Sequence, residues 1–328
     1  QRYSFKNIIG KSEGILKVLD LIEQVAPTRS TILVQGESGT GKELIAKAIH
    51  SASLRAPKNF VAVNTGSMPS DLLESILFGH VKGAFTSAVA SKKGLFEVAD
   101  QGTIFFDEIS TVGPETQAKL LRVMQEREFM RLGGTETIKV DVRIMAATNV
   151  DLRKLVEESR FRDDLFYRLH VITVSLPPLR DRREDIPLLV EHILEKYCKE
   201  NERPPRRFTP EAMSRLTAYH WPGNVRELEN VVERAVVLSR QEEIDLDLLP
   251  PELSDAASCL AALAGETDGA SLFALTDDYE RRLILQTLER SNWLQTEAAQ
   301  RLRVPLSTLN QKIKRLGIEI RRPLPRST

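Results

Sequence analysis

Two kinds of pattern alternate along the first half of the chain. Short continuous apolar runs, rich in β-branched residues, cover 31–35, 60–63, 103–106 and 142–147. Such runs fit strands buried on both faces. Between them apolar residues recur at helical spacing, as at 42–52, which opens directly after a glycine-rich turn. Strands separated by helical patterns predict an α/β fold over 1–175, a mostly parallel sheet with helices on both faces. From 176 to about 250 the pattern is helical, with apolar faces at 186–200, 209–219 and 225–239. Thr209 before Pro210 supplies a cap and a first-position proline. Residues 251–275, rich in Ala, Ser, Gly and Asp, read as a linker. A last helical unit runs from about 276 to 318, in a domain extending to 328.

Composition narrows the class without naming it. Of 328 residues, 41% are hydrophobic and 28% charged, which fits globular domains with real cores. At roughly 100–200 residues per domain, two or three folded units are expected. Nothing approaches the roughly 18 consecutive apolar residues of a membrane span. No basic segment followed by an apolar stretch opens the chain, so no secretory signal is expected. Gln1 is not an initiator Met, so the chain is expected to be part of a longer protein. The two cysteines, Cys198 and Cys259, have no metal spacing, which fits a reducing cytoplasm.

Formal net charge is zero, from 46 basic and 46 acidic residues. Residues 298–328 depart from that balance. They carry Arg301, Arg303, Lys312, Lys314, Arg315, Arg321, Arg322 and Arg326 against the single acid Glu319. A basic end behind a balanced body points to nucleic acid. On charge alone, a solvated helix face is the other reading.

The strongest chemical signal is Gly36-Glu37-Ser38-Gly39-Thr40-Gly41-Lys42, which has the spacing of a P-loop between a strand and a helix. Glycines let backbone N–H groups curl around phosphate oxygens, and the following helix points its positive end at the same anion. Lys42 adds a point charge for the β- and γ-phosphates of ATP. Glu43 stands where Ser or Thr usually ligates magnesium. Downstream, Thr103-Ile104-Phe105-Phe106 ends in Asp107 and Glu108. Asp107 at the strand tip suits Mg²⁺, and Glu108 suits polarising the attacking water.

Gly83-Ala84-Phe85-Thr86-Ser87-Ala88, after Leu72-Leu73-Glu74-Ser75-Ile76-Leu77-Phe78-Gly79-His80, closely resembles the GAFTGA loop region of sigma-54 activators, bacterial enhancer-binding proteins of the AAA+ class. Gly36 to Glu43 resembles their Walker A, including the Glu after Lys, and 99–108 their Walker B. Residues 161–169 and Trp221-Pro222-Gly223-Asn224-Val225-Arg226-Glu227-Leu228 resemble two further signatures. The resemblance implies a P-loop AAA+ domain over 1–175, an α-helical lid over 176–250 and an all-α helix-turn-helix domain over 276–328. It implies that Gly83 to Ala88 contact sigma-54, with Phe85 and Thr86 as the gripping pair. Ser87 replaces the usual second Gly. From the residues alone, Phe85 is either a core aromatic or the tip of a mobile loop.

Further roles follow only from that resemblance. Asn64 corresponds to the switch residue that restrains the Walker B Glu, although Thr65 and Gly66 replace the usual Cys-Ala. Thr148 and Asn149 correspond to sensor I. Arg162 and Arg168 correspond to arginines reaching into the next subunit's site, and their pairing with Asp163, Asp164 or Glu184 is the alternative. Arg226 corresponds to sensor II. Ile8, Ile9 and Gly10 correspond to the adenine cradle, and Leu44 joins the nucleotide-binding residues. Arginines acting in trans imply a homo-oligomer, from dimers up to a hexameric ring.

Residues 296–302 and 305–316 read as two short helices joined by a tight turn, with Thr296 as cap of the first. Leu309, Ile313 and Leu316 share one face. Ser307, Thr308, Asn310, Gln311 and Lys314 are the expected DNA-contacting residues. The unit resembles the Fis-like domain of the same family, with Arg303 in place of the turn Gly. Dimeric reading of upstream palindromic sites is expected, aided by a helix over 276–290 carrying Tyr279, Leu283 and Leu288. The whole reads as an ATP-driven activator of sigma-54 RNA polymerase holoenzyme, with no membrane partner. A DNA-binding regulator whose ATPase only tunes oligomerisation and an AAA+ unfoldase are the rivals. The basic helix-turn-helix argues against the second.

Overall fold

The computed structural model describes residues 8–85, 88–250, 253 and, from 280 to 318, all but 282, 283, 286, 289, 290, 292 and 303. Thr86, Ser87, the 251–275 linker apart from Leu253, Cys259, Tyr279, Leu283, Arg303, Glu319 and the terminal arginines lie outside the described residues. The chain divides into two compact units, with the boundary in the sequence after Pro250.

In the first unit, β1 (Ile32–Gln35), β2 (Phe60–Asn64), β5 (Thr103–Asp107), β8 (Arg143–Thr148) and β9 (Ile172–Ser175) form one sheet in the order β2-β5-β8-β1-β9. Every pairing is parallel. The four expected strands are all present, and Ile172–Ser175 adds a fifth at the edge. Alternate strand residues enter opposite cores. Leu33, Ile104, Phe106, Ile144 and Ala146 pack under α3 (Ser70–Phe78), α5 (Pro114–Glu126), α6 (Leu152–Glu157) and α7 (Asp163–Leu169). Ile32, Val34, Phe105, Met145 and Ala147 pack under α1 (Glu13–Val25) and α2 (Lys42–Ser51). A sheet covered on both faces explains why these strands read as continuous apolar runs. Arg143 is buried at the foot of β8 and donates to the Val25 and Ala26 carbonyls. Burial pushes its pKa down to about 10, while the negative end of α1 favours the charge.

Two small antiparallel hairpins interrupt the α/β order: β3 (Gly79–His80) with β4 (Lys92–Lys93), and β6 (Glu128–Met130) with β7 (Thr137–Lys139). The short α4 (Leu95–Val98) follows β4. The helical segment comprises α8 (Ile186–Glu200), α9 (Pro210–Ala218) and α10 (Asn224–Leu238). Thr209 caps α9 by accepting the Ala212 N–H at 3.3 Å. Buried Trp221 anchors the turn before α10, donating from Nε1 to the Leu216 carbonyl at 2.8 Å.

The second unit is built around Ile284, Leu288, Ala298, Ala299, Leu309, Ile313 and Ile318. Its two described helices are Gln295–Arg301 and Leu306–Arg315. Among the described residues, no helix is long and apolar enough to cross a membrane.

Candidate nucleotide-binding site

The P-loop leaves β1 at the carboxyl edge of the sheet, where an open α/β fold places its ligand. The Gly36 N–H still donates to the Thr148 carbonyl of β8 at 3.2 Å, so the loop starts in register with the sheet. Gly39 and Gly41 have φ of +78° and +97°, which L side chains rarely adopt. At Gly39 a Cβ would also stand 2.2 Å from the Gly223 carbonyl oxygen. Lys42 is 8% exposed, and its ammonium donates to the Gly36 and Glu37 carbonyls at 2.9 Å each. Burial lowers its pKa, and Asp107 is the largest influence in the other direction. Among the described residues no carboxylate ion-pairs with it. A buried cation ringed by carbonyls, at the amino end of a helix, fits a phosphate chain.

Beside Gly41 lies a cavity of about 320 Å³ lined by Ile8, Ile9, Leu44, Ile193 and Val225. Its apolar walls suit a base. The chain that follows Ile9 and Gly10 is held by Asp185, which sits fully buried at the start of α8. The Asp185 carboxylate accepts the Lys11 N–H at 2.6 Å, the Ser12 N–H at 2.9 Å and the Ser12 hydroxyl at 2.5 Å.

The helical segment closes over the loop through Arg226, named from the sequence, and through Arg180 and Asn224, which sequence reasoning missed. Arg180 forks onto the Glu37 carboxylate at 2.7 and 2.9 Å. Asn224 donates to Glu37 Oε2 at 3.2 Å and to the Ser38 carbonyl at 3.0 Å, and its own Oδ1 accepts the Leu179 N–H at 2.8 Å. Arg226 donates its backbone N–H to the Gly39 carbonyl and its guanidinium to the Ser38 hydroxyl, both at 3.3 Å. Glu37 thus spends its carboxylate on the lid. Thr40 turns its hydroxyl to the Glu37 carbonyl at 2.8 Å.

The Arg180 guanidinium holds the Glu37 carboxyl below the usual carboxylate range. A depressed carboxylate contributes fully above its unfolded pKa and loses that contribution as pH falls through the folded value. Glu37→Ala is therefore expected to weaken ATP binding about two- to fivefold at neutral pH, the size of a partly exposed ion pair. The deficit should shrink in acid. Equilibrium titration with a fluorescent nucleotide checks both.

The two acids stand one strand away from β8. Asn64 and Asp107 are register partners at the ends of β2 and β5. Glu108 has φ +59°, and its N–H donates to Asp107 Oδ1 at 3.1 Å. Asn64 Oδ1 accepts the Gly66 N–H at 2.9 Å, and among the described residues no hydrogen bond joins Asn64 to Glu108. Glu43 lies along α2, paired with Lys47 at 2.8 Å on the surface.

Thr148 is buried, with its hydroxyl bonded to both the carbonyl and the N–H of Val150. Asn149 is exposed, on a cavity of about 620 Å³ shared with Gly36 and Glu37. Arg162 and Arg168 sit at opposite ends of α7, away from the chain's own P-loop hydrogen bonds. Arg162 is forked onto Asp164 at 2.8 and 3.0 Å, and Arg168 reaches the Met124 carbonyl at 3.4 Å.

Residues 8–175 match the Sigma-54 interaction domain. Residues 180–264 match the AAA+ ATPase lid domain, and 277–316 the Fis family of bacterial regulatory proteins. The chain belongs to the sigma-54 interaction domain family. It is 46% identical to the regulatory protein AtoC of Escherichia coli over 97% of this chain and 69% of that one. It is 42% identical to a Nif-specific regulatory protein of Herbaspirillum seropedicae, over 98% of this chain and 64% of that one. The chain thus spans about two-thirds of the length of these relatives. The crystal structure of NtrX from Brucella abortus in complex with ATP is 36% identical, with TM-score 0.73 over 95% of this chain and 70% of that one. This sigma-54 activator chain is an ATPase of the AAA+ class.

The loop after β3 takes its shape from local bonds. Gly83, at φ +83°, donates its N–H to the Ala88 carbonyl, and the Ala88 N–H donates to the Phe85 carbonyl, both at 2.9 Å. The base leans on the β6–β7 hairpin, where the Val81 N–H meets the Leu132 carbonyl at 3.1 Å. Phe85 is 41% exposed, its ring edge-on to His80 with centroids 5.0 Å apart. It is not a core aromatic.

In the Fis-type unit, Thr296 does not cap the first helix. A turn closed by the Leu294 N–H on the Ser291 carbonyl starts that helix one residue earlier, with Leu294 at the cap position and no side-chain cap. Leu309 and Ile313 are buried in the second helix. Ser307, Gln311 and Lys314 are exposed, and Thr308 and Asn310 half-buried. Lys312 and Arg315 both pair with Glu280, at 2.5 and 2.9 Å, tying that helix to the residues before it.

Proposed function

We propose that the protein assembles into a ring on upstream palindromic DNA and uses ATP hydrolysis to remodel sigma-54 RNA polymerase holoenzyme into the open complex. The observation that carries the reading is the joining of two features in one folded unit. A P-loop clamped by Arg226 and Asn224 lies at the carboxyl edge of the sheet, and an aromatic-bearing loop leans on the β6–β7 hairpin of the same unit.

Bound MgATP supplies the phosphoryl bond to be broken and the metal charge that offsets it. Lys42 and the amides of Gly39 to Lys42 hold and orient the phosphates. Ile8, Ile9, Gly10 and Leu44 enclose the base. Asp107 would hold the metal, since magnesium on a nucleotide needs only one or two protein carboxylates. Glu108 polarises water, Asn64 restrains Glu108, and Asn149 beside Thr148 faces the terminal phosphate.

Arg162 and Arg168 of a neighbouring copy complete the site. In the single chain Arg162 is neutralised by Asp164, so ring assembly exchanges that carboxylate for phosphate. Gly83 to Ala88 deliver the stroke to sigma-54. Ser307, Thr308, Asn310, Gln311 and Lys314 read DNA in the major groove, in the cytoplasm. Open-complex formation on a sigma-54 promoter, with ATP and with a non-hydrolysable analogue, tests the reading. Promoter opening that does not require hydrolysis would eliminate it.

A further inference from the structure

Glu108 rests in a place that one missing methyl group makes available. An ideal Cβ built on Gly66 would stand 2.2 Å from Glu108 Oε2 and 3.3 Å from its carboxyl carbon. The carboxylate therefore lies directly over the bare Cα of Gly66. Gly66 follows β2, and β2 flanks β5 on the side away from β8 and β1. A carboxylate leaning over Gly66 thus leans away from the strand that carries the P-loop.

The backbone beneath it is fixed by the next residue back. Thr65 is 3% exposed. Its hydroxyl lies 3.0 Å from the Asp107 carbonyl, 2.7 Å from the Glu108 carbonyl and 3.1 Å from the Thr111 hydroxyl. The Thr111 hydroxyl reaches the same Glu108 carbonyl at 2.9 Å. Glu108 is in the left-handed region, where a residue with a side chain needs such local support. The Asn64 Oδ1, meanwhile, accepts the Gly66 N–H.

We propose that Thr65 and Gly66 form the seat that sets the resting position of Glu108 and so the basal rate of ATP hydrolysis. Gly66 gives the carboxylate room on the β2 side, and Thr65 holds the strained backbone it hangs from. Both are positioning residues, since each acts through Glu108. The proposal rests on Glu108 being the water-polarising acid of the ATPase.

Gly66 is a clean place to test this. Its φ lies outside the left-handed region, and the only atoms in close conflict with a new Cβ are the mobile end of Glu108. Alanine should therefore move Glu108 off the β2 side rather than break the turn, and a shift toward β8, the neighbour of β5 on the other side, is the one that would raise turnover.

The test is steady-state phosphate release by the purified chain. Gly66→Ala is expected to raise kcat about three- to tenfold with KM for ATP within about twofold, a fraction of the roughly 10²–10⁴ a positioned acid–base group supplies. An unchanged or lowered kcat with ATP binding intact would overturn the seat. Should that variant fail to bind ATP, Thr65 decides. Thr65→Val is expected to lower kcat at least about fivefold at unchanged KM, while Thr65→Ser stays within about twofold of the parent. Full activity in Thr65→Val would refute the proposal. Glu108→Gln separates the two levels. If it turns over normally, the ATPase reading of the acid is wrong; if it is dead and Gly66→Ala is unaltered, only the seat is wrong.

Discussion

Lys42→Ala is expected to abolish ATP turnover, with a loss of at least about 10²-fold in kcat/KM, the scale for removing one preorganised electrostatic group. The fold should survive. Lys42 makes no ion pair among the described residues, and its ammonium is solvated only by the Gly36 and Glu37 carbonyls of its own loop. Truncation frees two carbonyls at a half-open edge and relieves a buried cation that burial already disfavours. The thermal midpoint of the ligand-free variant should therefore match or exceed that of the parent. The ATP-induced rise in that midpoint, which follows mass action on the folded state, should vanish. Parent-like hydrolysis would place phosphate somewhere other than this loop. A collapsed midpoint with turnover retained would make Lys42 a structural residue instead.

What could be read from the chain alone follows from how locally each feature is encoded. The P-loop is contiguous, and its glycines are demanded by backbone angles that Gly39 and Gly41 adopt within one turn. Asp107 and Glu108 end an apolar strand and need only their own neighbours. The lid clamp is different. Arg180 and Asn224 meet Glu37 across 143 and 187 residues, and each is an ordinary surface-type residue in its local string. Only Asn224, inside the Trp221 turn, carried any signal. β3 and β4 are two residues each, too short to show a period. The fifth strand, β9, is four residues long and half-buried at the sheet edge, so its alternation was weak. Thr296 looked like a cap because the turn before it, set by Trp293 at φ +64°, is not written in cap chemistry. Gly66 showed in the sequence only as a departure from the usual Ala, because the Glu108 carboxylate that occupies the space over its bare Cα follows a different strand, β5.

Phe85→Ala is expected to leave ATP turnover within about twofold of the parent yet lower ATP-dependent open-complex formation at least about thirtyfold, the cost of losing one aromatic hot spot worth roughly 2 kcal/mol or more. The separation follows from where the ring sits. Its ring contact is the edge-on one with His80, and it is half exposed at a loop closed by its own backbone bonds. Among the described residues no hydrogen bond joins the P-loop, Asp107 or Glu108 to residues 83–85, so truncation leaves the hydrolytic groups in place. An aromatic left 41% exposed, with one ring contact among the described residues, carries a cost in apolar hydration that a partner surface would recover. Phe85→Leu keeps most of that area but loses the ring's face and edge, so it should recover part of the activity. Gly83→Ala probes the other half of the device, because φ +83°, at a position where no atom of the described residues lies within 4 Å of a new Cβ, makes its penalty conformational. If Phe85→Ala opens promoters as well as the parent, the ring is not what grips sigma-54. If turnover falls in step with opening, the loop and the nucleotide site are one mechanical element, and the separation argued from their bonding is wrong.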